Sequence, residues 1–557
     1  VASKWRSGLR DVAVVTAVVA ASAIVGLPQA SAAPPPQDVA AEAAVAPVKW
    51  GPCAESDLSN VPPADRFRFT CGHYAVPLNH DRPRQGTINI ALMRRAANNA
   101  GAKIGSLFLN PGGPGGSGYR YPTVGGAIFE PEVMDRFDLI GFDPRGVARS
   151  TPLRCFATQE DADAVFGRMA LLPRTRAEER STIDANRDYG QFCKRFAGPL
   201  IEHMSTEAVA RDLDVLRGAV GDKKLTYVGF SYGTLLGATY ANIFPNRSRA
   251  IILDGNVDPT LRLLDGLEYD RQRTNGFEIA LDAYLKRCDM VDTRCAFSDG
   301  DPRAKFDGLI KYLREVGPIA VPNGPTLGHD TFTATVAGNL YNPAALAPLA
   351  ESMQAMWDVI HPSAASARKA PMAAAKIAGL QQAAKLARYD VRQTNSPDSP
   401  YVADDSYAAV NCIDKPFNHR LNEVPGIADE WERQLPTFGR YLAWGDPAVC
   451  AAWPLRQPDA YRGPWHARTP NPIMVVGNYY DPATQYEFSR RMASQLGNAF
   501  LVSVDSFGHC ILGDSSCADK IAARYLIDLQ VPGPGTVCHP DVQPFPFVPS
   551  GQATREH

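Results

Sequence analysis

Residues 225–234 read Leu-Thr-Tyr-Val-Gly-Phe-Ser-Tyr-Gly-Thr, an apolar β-prone run that breaks abruptly at Gly229-Phe230-Ser231-Tyr232-Gly233. Glycines two residues before and two residues after Ser231 carry no β-carbon, so a strand and a helix can approach closely around a tight turn with the serine at its tip. Ser231 is the candidate nucleophile. The pattern constrains the fold because it needs a strand before it, a helix after it and a further strand beyond. A chain of this length shows about 0.2 such matches by chance, so the surroundings decide.

Those surroundings fit. Upstream, Thr206 is expected to cap a helix with apolar residues at Val209, Leu213 and Leu216, and downstream residues 235–244 read as a helix and 250–253 as a strand ending at Asp254-Gly255. Earlier, residues 87–95 alternate like a strand, and the runs 105–110 and 137–143 read as buried ones. Strand, turn and helix alternate, which predicts a mostly parallel sheet with crossover helices. The first buried run leads into Pro111-Gly112-Gly113-Pro114-Gly115-Gly116-Ser117-Gly118. A glycine-dense loop after a buried strand lets backbone N–H groups face a cavity, which suits a phosphate or a developing oxyanion. Residues 113–118 also match the dinucleotide pattern GxGxxG, so a nicotinamide or flavin enzyme is an alternative. Against it, Pro114 removes one donor and no lysine follows as in a phosphate-binding loop.

From residue 261 to about 401 strand-like runs become sparse and helical patterns dominate, including an Ala- and Lys-rich run over 364–388. An inserted helical cap over the mouth of the site would restrict what enters. Glu268 and Asp270 are weak candidates for binding a peptide's α-ammonium. The sheet pattern returns at 471–477, followed by Asp481-Pro482, and again at 499–504, followed by Gly508-His509. An acid past one strand and a histidine past the next supply a serine's partners in the order serine, acid, histidine. Ser231, Asp481 and His509 are therefore the expected triad, with Asp505 and Asp254 as rival acids.

The N-terminus reads as a targeting segment. Lys4, Arg6 and Arg10 precede an apolar run over 12–27 and a small-residue cleavage site at Ala30-Ser31-Ala32, which predicts secretion without a stable membrane span after cleavage. In an oxidising compartment the eleven cysteines should pair. Short separations suggest Cys53 with Cys71, Cys155 with Cys193, Cys288 with Cys295, Cys412 with Cys450 and Cys517 with Cys538, leaving Cys510 over. Neither a CxxC pair nor HExxH occurs, so no metal is expected, and no cofactor. Lys plus Arg number 57 against 59 for Asp plus Glu, so no global field favours nucleic acid, and peptide substrates are the expected partners.

Asn110-Pro-Gly-Gly-Pro-Gly115, Asp143-Pro-Arg-Gly146, Gly229-Phe-Ser-Tyr-Gly233, Asp481-Pro482 and Gly508-His509 together resemble the secreted tripeptidyl aminopeptidases of actinobacteria. These are α/β-hydrolases related to the prolyl aminopeptidases, and the resemblance spans about residues 50–538. It implies an α/β-hydrolase fold with an inserted helical cap, and oxyanion donors at the N–H groups of Gly113 and Tyr232. In prolyl aminopeptidases the glycine loop begins with histidine, where this chain has Pro111 after Asn110. Residues 453–538 resemble the C-terminal module of the tripeptidyl members, which implies release of N-terminal tripeptides. The expected organisation is a signal peptide (1–33), a flexible stretch (34–48), a first core part (49–260), the cap (261–405), a second core part (406–545) and a tail (546–557). A secreted carboxylesterase or lipase with the same triad, and a non-catalytic binding protein on the same scaffold, are the alternatives.

Overall fold

Alternate residues of the central strands enter opposite apolar layers, which is the pattern of strands covered on both faces. Phe108 and Tyr227 join one layer, whereas Leu107, Leu109 and Val228 join the other. This computed structural model describes residues 45–320, 326–363, 375–379, 399–403, 405–456 and 460–545. The expected signal peptide, residues 34–44, most of the run 364–388 and the tail lie outside the described residues.

The strands are β1 (Phe69–Pro77), β2 (Thr87–Arg95), β3 (Gly105–Asn110), β4 (Phe137–Phe142), β5 (Leu225–Phe230), β6 (Ser248–Asp254), a small hairpin β7 (Ile319–Ala320) and β8 (Thr326–Leu327), then β9 (Ile473–Tyr480), β10 (Ala499–Phe507) and β11 (Val537–Cys538). Nine of them form one sheet in the order β1-β2-β4-β3-β5-β6-β9-β10-β11. The pairs β1/β2 and β2/β4 are antiparallel, and every pair from β4 to β11 is parallel. The parallel strands thus end on one rim, and the turns after β3, β5, β6, β9 and β10 share it. This is the α/β-hydrolase fold, with a mostly parallel sheet and helices on both faces.

Each strand expected from the pattern is present. β10 runs on to Phe507, so Asp505 lies inside the strand rather than beyond it. One expectation is corrected: Ser205, not Thr206, caps the helix Thr206–Ala219, its side chain accepting the Ala208 N–H at 3.2 Å. Thr206 is the first helical residue, and its hydroxyl is engaged elsewhere.

Between β6 and β9 the described chain is almost wholly helical, from Pro259–Leu264 and Gly266–Met290 through Pro302–Glu315, His329–Asn339 and Pro343–Ile360 to Asp405–Asp414 and Asp446–Ala451. Much of this region packs around its own apolar cluster, which includes Phe277, Tyr284, Phe306, Phe332 and Met353. The five expected disulfides are all formed, and Cys510 is free.

Candidate active site

β5 ends at Phe230, and the next residue, Ser231, has φ 54°, a left-handed conformation that a non-glycine residue seldom adopts. Packing around the turn enforces it. A β-carbon at Gly229 would lie 2.3 Å from the Gly233 carbonyl oxygen, and one at Gly233 would lie 2.8 Å from the Asn110 carbonyl oxygen. Both glycines are therefore required by close approach. The Tyr227 hydroxyl donates to the Gly233 carbonyl at 2.8 Å, and the Ser231 N–H donates to the Asp254 carbonyl at 2.9 Å. The Ser231 turn is thus pinned to β5 on one side and to the end of β6 on the other.

The glycine loop after β3 presses against this turn. Gly112 has φ 91°, and a β-carbon there would stand 2.4 Å from the Phe230 carbonyl oxygen and 2.9 Å from both the Ser231 Cβ and the Tyr232 nitrogen. Its own N–H is taken by the Asn110 side chain at 3.0 Å. The next amide, Gly113, and the amide of Tyr232 find no acceptor within the protein among the described residues. Asp143 braces the loop from beneath, accepting from the Ser117 hydroxyl at 2.5 Å, the Tyr119 N–H at 3.2 Å and the Arg149 N–H at 2.9 Å. In the same motif Arg145, fully buried, makes a forked pair with Asp212 at 2.6 and 2.7 Å. The Asp143-Pro-Arg-Gly146 motif is thereby structural: one residue holds the loop and the other anchors the helix that precedes β5.

On the far side, Asp481 follows β9 and is buried. Its carboxylate accepts the Ala483 and Thr484 N–H groups at 2.9 and 2.8 Å and the Thr484 hydroxyl at 2.9 Å. Both oxygens lie within hydrogen-bond distance of His509 Nδ1, at 3.0 and 2.9 Å. With Nδ1 donating to Asp481, Nε2 is the nitrogen left to accept a proton. The His509 ring meets the Tyr341 ring edge to face at 5.2 Å, and the His509 N–H donates to the Tyr341 carbonyl at 2.9 Å. Thr484 escaped notice in the sequence; its place three residues after the acid, at a helix approach, was the available signal.

Gly255 adjoins the His509 ring and follows the residue that holds the Ser231 turn. A β-carbon at Gly255 would lie 3.2 Å from His509 Cε1, and its neighbour Asp254 holds the Ser231 amide. Among the described residues, the hydrogen bonds of His509 run to Asp481, Thr484 and Tyr341. Of the rival acids, Asp254 turns its carboxylate to the Ile511 and Leu512 N–H groups, both at 2.9 Å. Its other oxygen is buried without a partner, and burial pushes its pKa up to about 6 against the pull of those two amides. Asp505 makes no bond to the histidine. Cys510 lies with its sulfur 3.4 Å from the Asp254 carbonyl, and burial raises its pKa, so it is a thiol rather than a nucleophilic thiolate.

The two carboxylates singled out from the sequence, Glu268 and Asp270, are both paired internally. Glu268 binds Arg271 at 2.6 and 2.7 Å, and Asp270 binds the buried Lys415 at 2.8 and 2.9 Å, with Lys415 also 2.5 Å from Asp446. No distance brings either to Ser231 or His509.

Comparison with known proteins agrees with this geometry. A family model described as an alpha/beta hydrolase fold matches residues 105–349, and one described as TAP-like protein matches residues 435–538. The chain is 31% identical over 508 residues to the serine protease Hip1 of Mycobacterium tuberculosis, covering 88% of this chain and 91% of that protein. It is 29% identical over 529 residues to the tripeptidyl aminopeptidase of Streptomyces lividans (91% and 89%) and 27% identical over 517 residues to carboxylesterase B of Mycobacterium tuberculosis (88% and 90%). With its sheet order, its strained serine turn and a near full-length match to these proteins, the chain belongs to the α/β-hydrolase family that contains the tripeptidyl aminopeptidases and their serine-protease relatives.

Proposed function

We propose that this serine peptidase is a secreted exopeptidase that releases short peptides, tripeptides foremost, from substrate N-termini through an acyl-enzyme on Ser231. The observation that carries the reading is the His509 Nδ1 contact with both Asp481 oxygens, on the rim that also holds Ser231. His509 Nε2 takes the Ser231 proton as the oxygen attacks the scissile carbonyl, and returns it to the leaving amine. Asp481 fixes the tautomer and stabilises the imidazolium. The Gly113 and Tyr232 N–H groups, both without acceptors among the described residues, receive the oxyanion. Water then repeats the sequence on the ester and frees the acyl product.

The helical region over residues 261–405 is read as the cap. Its helix Gly266–Met290 crosses the acid loop so closely that a β-carbon at Gly276 would lie 2.8 Å from the Pro482 carbonyl oxygen, and its Tyr341 contacts the His509 ring. A roof of this kind favours chain ends over internal bonds. Secretion is supported by five disulfides, which persist in oxidising compartments.

A second reading, a carboxylesterase with the same machinery, has the carboxylesterase B relative in its favour. A panel of aminoacyl, dipeptidyl and tripeptidyl amides beside p-nitrophenyl esters separates the two. The peptidase reading expects amide cleavage greatest with tripeptidyl amides, and ester cleavage with no amide cleavage rejects it. Ser231→Ala should give a folded protein with no turnover and no fluorophosphonate label. Near-normal turnover by that variant rejects Ser231 as nucleophile.

A further inference from the structure

The Tyr232 side chain ends in a buried polar relay unconnected with the triad. Its hydroxyl bonds the Thr206 hydroxyl. Thr206 Oγ1 in turn donates to Asp414 Oδ2 at 2.5 Å, and the Thr206 N–H donates to Asp414 Oδ1 at 3.1 Å. All three residues are at most 5% exposed. Since the carboxylate only accepts, the Thr206 proton is committed to Asp414, leaving the Thr206 oxygen to accept from Tyr232. The direction of every bond is thereby fixed: Tyr232 to Thr206 to Asp414. Arg262 lies 5.7 Å from the Tyr232 ring centre, and Arg462 binds the Asp414 carbonyl at 2.8 Å.

The three links come from distant parts of the chain. Tyr232 follows the nucleophile, Thr206 opens the helix before β5, and Asp414 closes the helix Asp405–Asp414 of the region between β6 and β9. Burial alone would be satisfied by phenylalanine at 232. Instead the hydroxyl is held at a stated point, while the Tyr227 hydroxyl holds the Gly233 carbonyl from the sheet side at 2.8 Å. Two phenols thus grip the same turn. Both anchors lie directly C-terminal to the Ser231–Tyr232 peptide, where Ser231 is kept in a strained conformation that persists only where the surroundings over-determine it.

We propose that Thr206 and Asp414 are positioning residues which, through the Tyr232 side chain, hold the Tyr232 N–H at the point where the oxyanion forms. This rests on the reading of Ser231 as nucleophile and the Tyr232 amide as oxyanion donor. Donors of this kind act through preorganisation, so a small rotation of the peptide weakens the transition state while leaving the ground-state complex nearly intact.

The test uses the full-length enzyme and its best tripeptidyl amide. Tyr232→Phe keeps the ring and removes only the first link; Thr206→Val removes both bonds of the Thr206 hydroxyl and keeps its N–H on Asp414. Each is expected to lower kcat about tenfold with KM within twofold, and the double variant to lose no more than either single one, because one chain is being cut. Thr206→Ser, which keeps the hydroxyl, should restore kcat. A peptidyl boronate, mimicking the tetrahedral species, should bind Tyr232→Phe about tenfold more weakly while product tripeptide binds unchanged. An unchanged kcat for Tyr232→Phe at an unchanged melting temperature overturns the proposal, as does a loss confined to KM or a fully additive double variant. Ser231→Ala tells the two failures apart: label and turnover retained by that variant reject the nucleophile itself, whereas a silent Ser231→Ala beside a fully active Tyr232→Phe rejects the relay alone.

Discussion

Two buried aspartates end adjacent parallel strands, and they differ in what their second oxygen meets. Asp254, the last residue of β6, and Asp481, just past β9, each accept two consecutive backbone N–H groups, from Ile511 and Leu512 and from Ala483 and Thr484 respectively. Asp481 goes on to contact the imidazole and the Thr484 hydroxyl, whereas the other oxygen of Asp254 is buried without a hydrogen-bond partner among the described residues. Depth and amide donors therefore do not make an acid a histidine's partner; direction does. The unpartnered oxygen is also why burial wins at Asp254 and raises its pKa to about 6.

Substituting the two acids separates these roles. Asp481→Asn should lower kcat by roughly 10³ to 10⁴, as loss of the correct tautomer does in serine proteases, with the fold retained. Equal losses for Asp481→Asn and Asp254→Asn in kcat would break the distinction. Thr484→Val removes one donor from the carboxylate and should cost about tenfold in kcat, with KM little changed. Asp254→Asn should change kcat less than threefold and act on stability instead. Its folded pKa lies above the ordinary value of 3.8, so the native state binds the extra proton between about pH 4 and 6. Its contribution to stability is therefore full below about pH 4 and is lost as pH rises through 6, a change of roughly 3 kcal/mol. Thermal unfolding of Asp254→Asn from pH 4 to 7 should lack that decline. An unaltered pH profile would show that the unpartnered oxygen carries no such strain.

The sheet and its rim were legible because each strand announces itself locally. Val228 and Val475 sit in unbroken apolar runs, and Gly229 and Gly233 mark a turn whose close contacts only glycine allows. Strand order pointed to Asp481 rather than Asp254 as the acid beside His509, but the reason for that contact was not legible, since both stand at strand ends. Asp143 illustrates the limit further. Its motif is plain in the sequence, yet its work is done on Ser117 and Tyr119, a contact set by the adjacency of β3 and β4 rather than by any local pattern. The Thr206–Asp414 bond spans 208 positions and pairs two residue types that are ordinary wherever they occur. Nothing local distinguishes Thr206 from a helix cap, and Ser205 beside it takes that role.

The chain leaves the sheet at Asp254 and re-enters it at Ile473, in the neighbouring position, with Ile252 opposite Met474. An excursion that starts and ends at adjacent strands is, to the sheet, a closed loop, and the entropy of closing a flexible loop grows only with the logarithm of its length, about 0.6 kcal/mol per doubling. A one-residue slip of β9 would instead turn every side chain of that strand to the opposite face. The chain between β6 and β9 can therefore be lengthened, shortened or rebuilt at little cost to the sheet, while the spacing of Ser231, Asp481 and His509 stays fixed by strand register.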